Sequence, residues 1–217
     1  MCVSELWSLC LASLLLLSCS PSQSSNPQDD AVEKNRDAAE VLAKALDYHG
    51  EAPAKALLLQ KQTINFDSTG AADTINERLL VSFLSDSSLE DCENLRPSAG
   101  AWFAATLPYR LADESVQLEF ISDSVLRAFY PDVPVDERDS FVHRFEPISG
   151  RHIGYDVHHP SGRSYRIANL AFQRVGKQML PSLRTSHRLR NGSPVALRAS
   201  YAYEWLDLSH PISQYCR

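Results

Sequence analysis

The sequence predicts an α+β fold that is mainly β: a curved antiparallel half-barrel sheet covered by an N-terminal helix and a short central apolar helix. Three observations predict it. From residue 57 onward, runs of about ten residues alternate apolar and polar side chains and are parted by Gly, Pro, Asn and Asp turns. Helical spacing replaces this alternation at residues 31–49 and 98–107. Along residues 182–190, Leu183, Thr185, His187 and Leu189 share one face, while Ser182, Arg184, Ser186, Arg188 and Arg190 share the other. That division fits an antiparallel sheet with one side packed and one side wet. A long antiparallel sheet with so little helix buries its apolar side by curling around what helix there is.

The elements follow in order. Ala31, Ala38, Leu42, Ala45, Leu46 and His49 fall on one helical face with Val41 at its edge, opposite Glu33, Arg36, Asp37, Glu40, Lys44 and Asp47. Asp29 or Asp30 can cap the start of this helix and Gly50 fits its end. Leu57–Phe66 and Asp73–Leu84 form a hairpin about the Asp67–Gly70 turn. Ser85–Pro97 is polar and irregular. Ser98 caps a short apolar helix that Pro108 ends. Strands are expected at Val116–Ile121, Ser140–Phe145, Arg151–His159 and Arg163–Phe172, the last two joined by Pro160-Ser161-Gly162. Met179–Leu189 and Val195–Trp205 close the chain as a hairpin, and Asn191-Gly192 between them is its strongest turn signal.

The N-terminus sets the compartment. Leu14-Leu15-Leu16-Leu17-Ser18-Cys19 ends an apolar run, and a polar stretch beginning Ser20-Pro21-Ser22 follows. This resembles a bacterial lipoprotein signal, which implies removal of residues 1–18 and lipidation of Cys19. The other readings are a plain secretory signal, or a start codon placed upstream of one, since the n-region lacks Lys and Arg and carries Glu5. Residues 19–30 are then the lipidated cysteine and a flexible linker, and residues 31–217 a single domain. Ser20 after the cysteine leans toward the outer membrane, facing the periplasm. Cys2 and Cys10 leave with the signal and Cys19 takes lipid, so Cys92 and Cys216 remain. An even remainder in an oxidising compartment makes a Cys92–Cys216 disulfide the natural expectation, with two unrelated thiols as the alternative.

Composition excludes several function classes. Hydrophobic residues make up 44% of the chain and charged residues 22%, as in ordinary globular proteins, and the net charge of −6 offers no footprint for nucleic acid. The sequence contains no Gly-x-Ser-x-Gly elbow, P-loop or dinucleotide fingerprint. His152, His158 and Asp156 share strand parity, with His159 adjacent. Residues six apart in a strand lie about 20 Å apart, so His152 and His158 cannot bind one ion, and no metal is expected. Arg184, Arg188 and Arg190 line a face expected to be wet, contact with lipid head groups or anionic ligands being the other reading.

The order of elements resembles the LolA/LolB-like fold, a half-open antiparallel barrel covered by helices around an apolar cavity. A closer resemblance is to a family of bacterial lipoproteins of unknown function related to that fold. There an apolar helix is followed by Leu-Pro-aromatic-basic-Leu-x-Asp and then a strand. Here the segment stands as Leu107-Pro108-Tyr109-Arg110-Leu111-Ala112-Asp113, followed by Val116-Gln117-Leu118-Glu119-Phe120. Asp47-Tyr48-His49-Gly50 resembles the end of the family's opening helix. The likeness spans most of residues 35–207 and departs at the acidic, proline-rich stretch Pro131–Asp139 and at Cys216.

The resemblance implies a non-enzymatic, monomeric envelope lipoprotein without cofactors, tethered to the membrane by its N-terminal lipid. It would bind or transfer a lipid or acylated-protein ligand, with Trp102, Phe103, Leu107 and Tyr109 at the mouth of the cavity. The alternatives are a closed-core scaffold, in which the central helix plugs the interior, and more remotely a hydrolase with dispersed catalytic residues.

Overall fold

The computed structural model describes residues 27–53, 56–83, 95, 97–130 and 138–207, with side chains from residue 37 onward except that of Ala99. Residues 1–18, Cys19, Cys92 and Cys216 lie outside the described residues, and with them the signal, lipidation and disulfide expectations.

The first helix, α1, spans Pro27–His49. Four residues of the segment expected as linker are therefore helical. Pro27 suits a first helical position, where no N–H is needed. The buried line of α1 runs through Ala38, Val41, Ala45 and His49, so Val41 is central, while Leu42 and Leu46 pack at the flanks. Gly50 ends the helix at φ +79°, and a Cβ there would lie 2.8 Å from the Lys177 carbonyl oxygen.

Nine strands form one curled antiparallel sheet: β1 Leu57–Phe66, β2 Ala72–Val81, β3 Gln117–Ser122, β4 Val125–Phe129, β5 Ser140–Phe145, β6 His152–His158, β7 Ser164–Val175, β8 Gln178–Arg190 and β9 Ser193–Leu206. Their spatial order is β2-β1-β9-β8-β7-β6-β5-β4-β3. Strands β3 to β9 form a meander of sequence neighbours, and the β1–β2 hairpin joins it by pairing β1 with β9, Leu58 opposite Leu206. Asn191 and Gly192 both take positive φ, 52° and 75°, as their two-residue hairpin turn requires. The second helix, α2 (Ala99–Thr106), starts at a Ser98 cap whose hydroxyl accepts the Ala101 N–H. A 3-10 turn, Tyr109–Ala112, follows.

The interior holds two apolar clusters. One joins Leu57, Leu59, Val81, Leu180, Tyr203 and Trp205 under Trp102 and Tyr109. The other joins α1 through Ala38, Val41 and Ala45 to Leu107, Leu111, Leu126 and Phe145. No helix among the described residues is long and apolar enough to cross a membrane.

Two strands depart from simple alternation, and the departures decide what faces inward. Gly154 sits at φ +143°, beside a register shift between β5 and β6, and a Cβ there would lie 2.1 Å from the Ile167 carbonyl oxygen. Parity therefore changes along β6: His152 and Tyr155 both pack inside, while Asp156 meets Arg144 and Arg166 on the other face. The shared face expected for His152, Asp156 and His158 does not exist. In β8 the pairing with β7 skips Ser182, whereas the shifts against β9 skip Val195 and Arg198 of β9, so β8 alternates from Leu183 onward with Arg184 and Ser186 turned inward. Arg184 and Ser186 are each 1% exposed, whereas Leu183 is 37% exposed. The row expected to be wet is buried at Arg184 and Ser186 and exposed at Arg188 and Arg190, toward the hairpin end of the strand.

Candidate functional site

The concave faces of five adjacent strands enclose, with α2, a cavity of about 340 Å³. Lys61 of β1, Tyr201 and Tyr203 of β9, Arg184 of β8, Ile167 of β7 and Tyr155 of β6 form its floor. Its roof is the end of α2 that carries Ser98, Gly100, Ala101 and Ala104. The space exists because α2 presents small residues here, while its large ones, Trp102 and Phe103, turn aside into the two apolar clusters.

Arg184 is the chemically distinctive part of this wall. Its Nε donates to Asn169 Oδ1 at 2.7 Å and its Nη1 to the Ala104 carbonyl oxygen of α2. Its guanidinium carbon lies 5.5 Å from the Tyr203 ring centroid. Nη2 is buried without a hydrogen-bond partner, and among the described residues no carboxylate pairs with Arg184. Lys61 on the same wall is paired with Glu77 at 2.6 Å.

Behind Arg184 runs a buried polar network that crosses four strands. Asn169 of β7 donates through Nδ2 to the His152 carbonyl oxygen at 2.7 Å and to His152 Nδ1 at 3.3 Å. With Nδ1 accepting, His152 carries its proton on Nε2 and donates to His143 Nδ1 at 3.2 Å. His143 is thereby protonated on Nε2, which has no partner. His49, at the end of α1, donates from Nδ1 to the Met179 carbonyl oxygen at 2.6 Å and accepts the His152 backbone N–H on Nε2 at 3.1 Å. Tyr109 Oη donates to the His49 carbonyl oxygen at 2.8 Å. One tautomer of each ring satisfies these bonds, and each ring is neutral.

Burial enforces that neutrality. It lowers His49 to about 4, partly against its bond to Met179, with the charges of Arg184 and Arg151 lowering it further. It lowers His143 to about 3, and it takes His152 well below the usual imidazole value with help from His143, Arg184 and His49. Burial likewise pushes Tyr155 up to about 12. The three imidazoles are 0% exposed and are not among the residues lining the cavity under α2, so the network holds Arg184 in place and does not itself face the space.

The four residues expected at a cavity mouth are distributed differently. Trp102 donates from Nε1 to the Ser82 carbonyl oxygen at 2.7 Å under Arg110, 5.0 Å from its ring centroid. Phe103 packs against Phe141 and Tyr130, with centroids 5.1 and 5.4 Å away. Leu107 is 0% and Tyr109 6% exposed. Tyr109 lines a separate, open cleft of about 530 Å³ beside Leu46, Gly50 and Ala52. Trp102 and Phe103 thus flank the cavity roof, and Leu107 and Tyr109 anchor the segment that follows it. Among the described residues, no group of three or more His, Cys, Asp or Glu is placed to hold a metal. The buried network escaped sequence reading because its members come from six separate elements, α1, the 3-10 turn and strands β5 to β8. Gly154, a glycine inside a strand pattern, was the one signal that parity would change.

No family model matches the chain, and no curated protein matches it. Among solved structures, the crystal structure of LolA superfamily protein NE2245 from Nitrosomonas europaea superposes with a TM-score of 0.53 at 13% sequence identity. The match covers 83% of this chain and 97% of that one. The nine-stranded curled sheet with its helical cover therefore has the LolA-like fold.

Proposed function

We propose that this protein is a cell-envelope lipoprotein that binds or transfers an acyl-bearing ligand in its half-barrel, non-enzymatically. The observation that carries the reading is the cavity between α2 and five strands, whose volume of about 340 Å³ falls in the range of small-molecule sites. Its cover is suited to opening. An isolated helix of eight residues is marginal in water, so α2 stays down through a few tertiary contacts: Trp102 to Ser82, Phe103 among aromatic rings and Ala104 to Arg184. The LolA-like fold and the Leu14–Cys19 signal support an anchored position in the envelope. The second reading, a closed-core scaffold, is favoured by the full burial of Leu107 and the contacts of Ala105 within an apolar cluster.

Native mass spectrometry decides between them. The full chain is exported into a bacterial periplasm with Cys19→Ser, which removes the anchor as a competing lipid. Added mass matching a fatty acid or phospholipid, released on unfolding and reduced by Trp102→Ala in a folded protein, supports the binder. A bare mass that does not change on adding lipid supports the scaffold.

A further inference from the structure

We propose that the cavity under α2 is a receptor for the anionic head, carboxylate or phosphate, of an acyl ligand, with Arg184 as the group that holds it. The proposal rests on the ligand-binding reading above and adds the chemistry of the end that is recognised. A guanidinium that is 1% exposed, with only neutral oxygens as partners and no carboxylate beside it among the described residues, is a costly arrangement for a purely structural residue. Nη2 has two N–H donors and no partner, and Arg184 lines the cavity. A bound oxyanion would satisfy those donors and neutralise the charge through a charge-assisted bond.

The rest of the wall agrees in sign. Among the described residues its lining includes Lys61 and Arg184 and no Asp or Glu, in a chain whose net charge is −6. Glu77 offsets Lys61 from outside the lining, which leaves Arg184 as the uncompensated cation among the described residues of the wall. Helix α2 brings its N-terminal end, Ser98 through Ala101, to the same space and adds the positive end of its dipole. Tyr201 and Tyr203 lie on the same floor. Asn169 fixes the orientation of the guanidinium, and the neutral histidines behind it add no competing charge. An uncharged acyl ligand would leave Nη2 as it stands, so the site discriminates by head group.

The test compares oleate, oleyl alcohol and inorganic phosphate by calorimetry at pH 8, using the full chain with Cys19→Ser. The expected result is oleate binding about ten- to hundredfold tighter than oleyl alcohol, the span a charge-assisted hydrogen bond supplies. Arg184→Met, checked for folding by circular dichroism, should abolish the preference, so that oleate and oleyl alcohol bind the variant with equal affinity. Arg184→Lys, which keeps the charge without the fork, should fall between. Equal affinity for oleate and alcohol in the parent protein overturns the head-group receptor while leaving lipid binding intact, whether or not the variants fold. Phosphate binding as tight as oleate, with no binding of the alcohol, overturns the acyl ligand in favour of a free anion. Binding of none of the three overturns both readings.

Discussion

Acidification from pH 7 to pH 5 should unfold this protein far more readily than its carboxylates require, because His49, His143 and His152 are buried as neutral rings. In the unfolded chain each imidazole takes up a proton near pH 6.5, whereas in the folded chain His49 waits until about 4 and His143 until about 3. Between those limits the unfolded state holds more protons, so stability is full above pH 6.5 and is lost as the pH falls. Each such ring contributes a slope of about 1.4 kcal/mol per pH unit. At pH 5 that is about 2 kcal/mol each for His49 and His143, with His152 adding a loss of the same sign, against a total of roughly 5–15 kcal/mol for a typical domain. Asp156 is lowered below the usual carboxylate range because its bonds to Arg166 and Arg144 outweigh its burial, so its loss begins only below about pH 4 and does not overlap. Urea unfolding followed by tryptophan fluorescence at pH 7, 6 and 5 measures the slope. His143→Phe, which keeps the ring contacts with Phe141 and Tyr155, should remove about one third of it. A total loss below about 2 kcal/mol by pH 5, or an unchanged slope in His143→Phe, would refute the neutral network.

Other perturbations read different parts of the fold. Gly154→Ala sets a methyl 2.1 Å from a carbonyl oxygen at φ +143° and should cost about 3 kcal/mol or more, seen as a lower urea midpoint; a change under about 1 kcal/mol would show that the β6 bulge relaxes. Asp156→Asn should cost about 1–3 kcal/mol at pH 7 by weakening the bonds to Arg144 and Arg166. That difference should close at pH values low enough to protonate the parent carboxylate, and a difference that persists there would show that packing is its source. Thiol titration of the unfolded, unreduced chain should find Cys92 and Cys216 unreactive, and two reactive thiols besides Cys19 would end the disulfide expectation.

Strands were legible where their physics is local. Leu57–Phe66 is a ten-residue run bounded by Pro53 and the Asp67 turn, so its limits coincide with β1. The Asn191-Gly192 hairpin and the Ser98 cap were equally plain, because each is set by a few adjacent residues. Strand β4 was missed: its five residues are too short for periodicity, and the turn at Asp123-Ser124 lacks Gly and Pro. The candidate site was legible only in part. Alternation assumes a continuous ladder, and the bulge at Gly154 exchanges the two faces along β6. Arg184 belongs to a row of arginines, but its burial depends on which row of β8 the sheet turns inward and on its partners Asn169 and Ala104, which a sequence does not place beside it.

The position of the β1–β2 hairpin also sets the order in which the protein can be assembled. Strands β3 to β9 pair with neighbours in sequence and can zip up as each is made, whereas β1 must wait for β9, the last strand. Contacts this distant carry the largest loop-closure cost and form late. Leu57 and Leu59 and the edge they complete are thus the first strand synthesised and the last docked, a long exposure of an apolar hairpin to other chains. Pulse-labelled hydrogen exchange during refolding should show β1 and β2 amides protected after those of β6, β7 and β8; simultaneous protection would mean that the ends of the sheet meet before its middle is set.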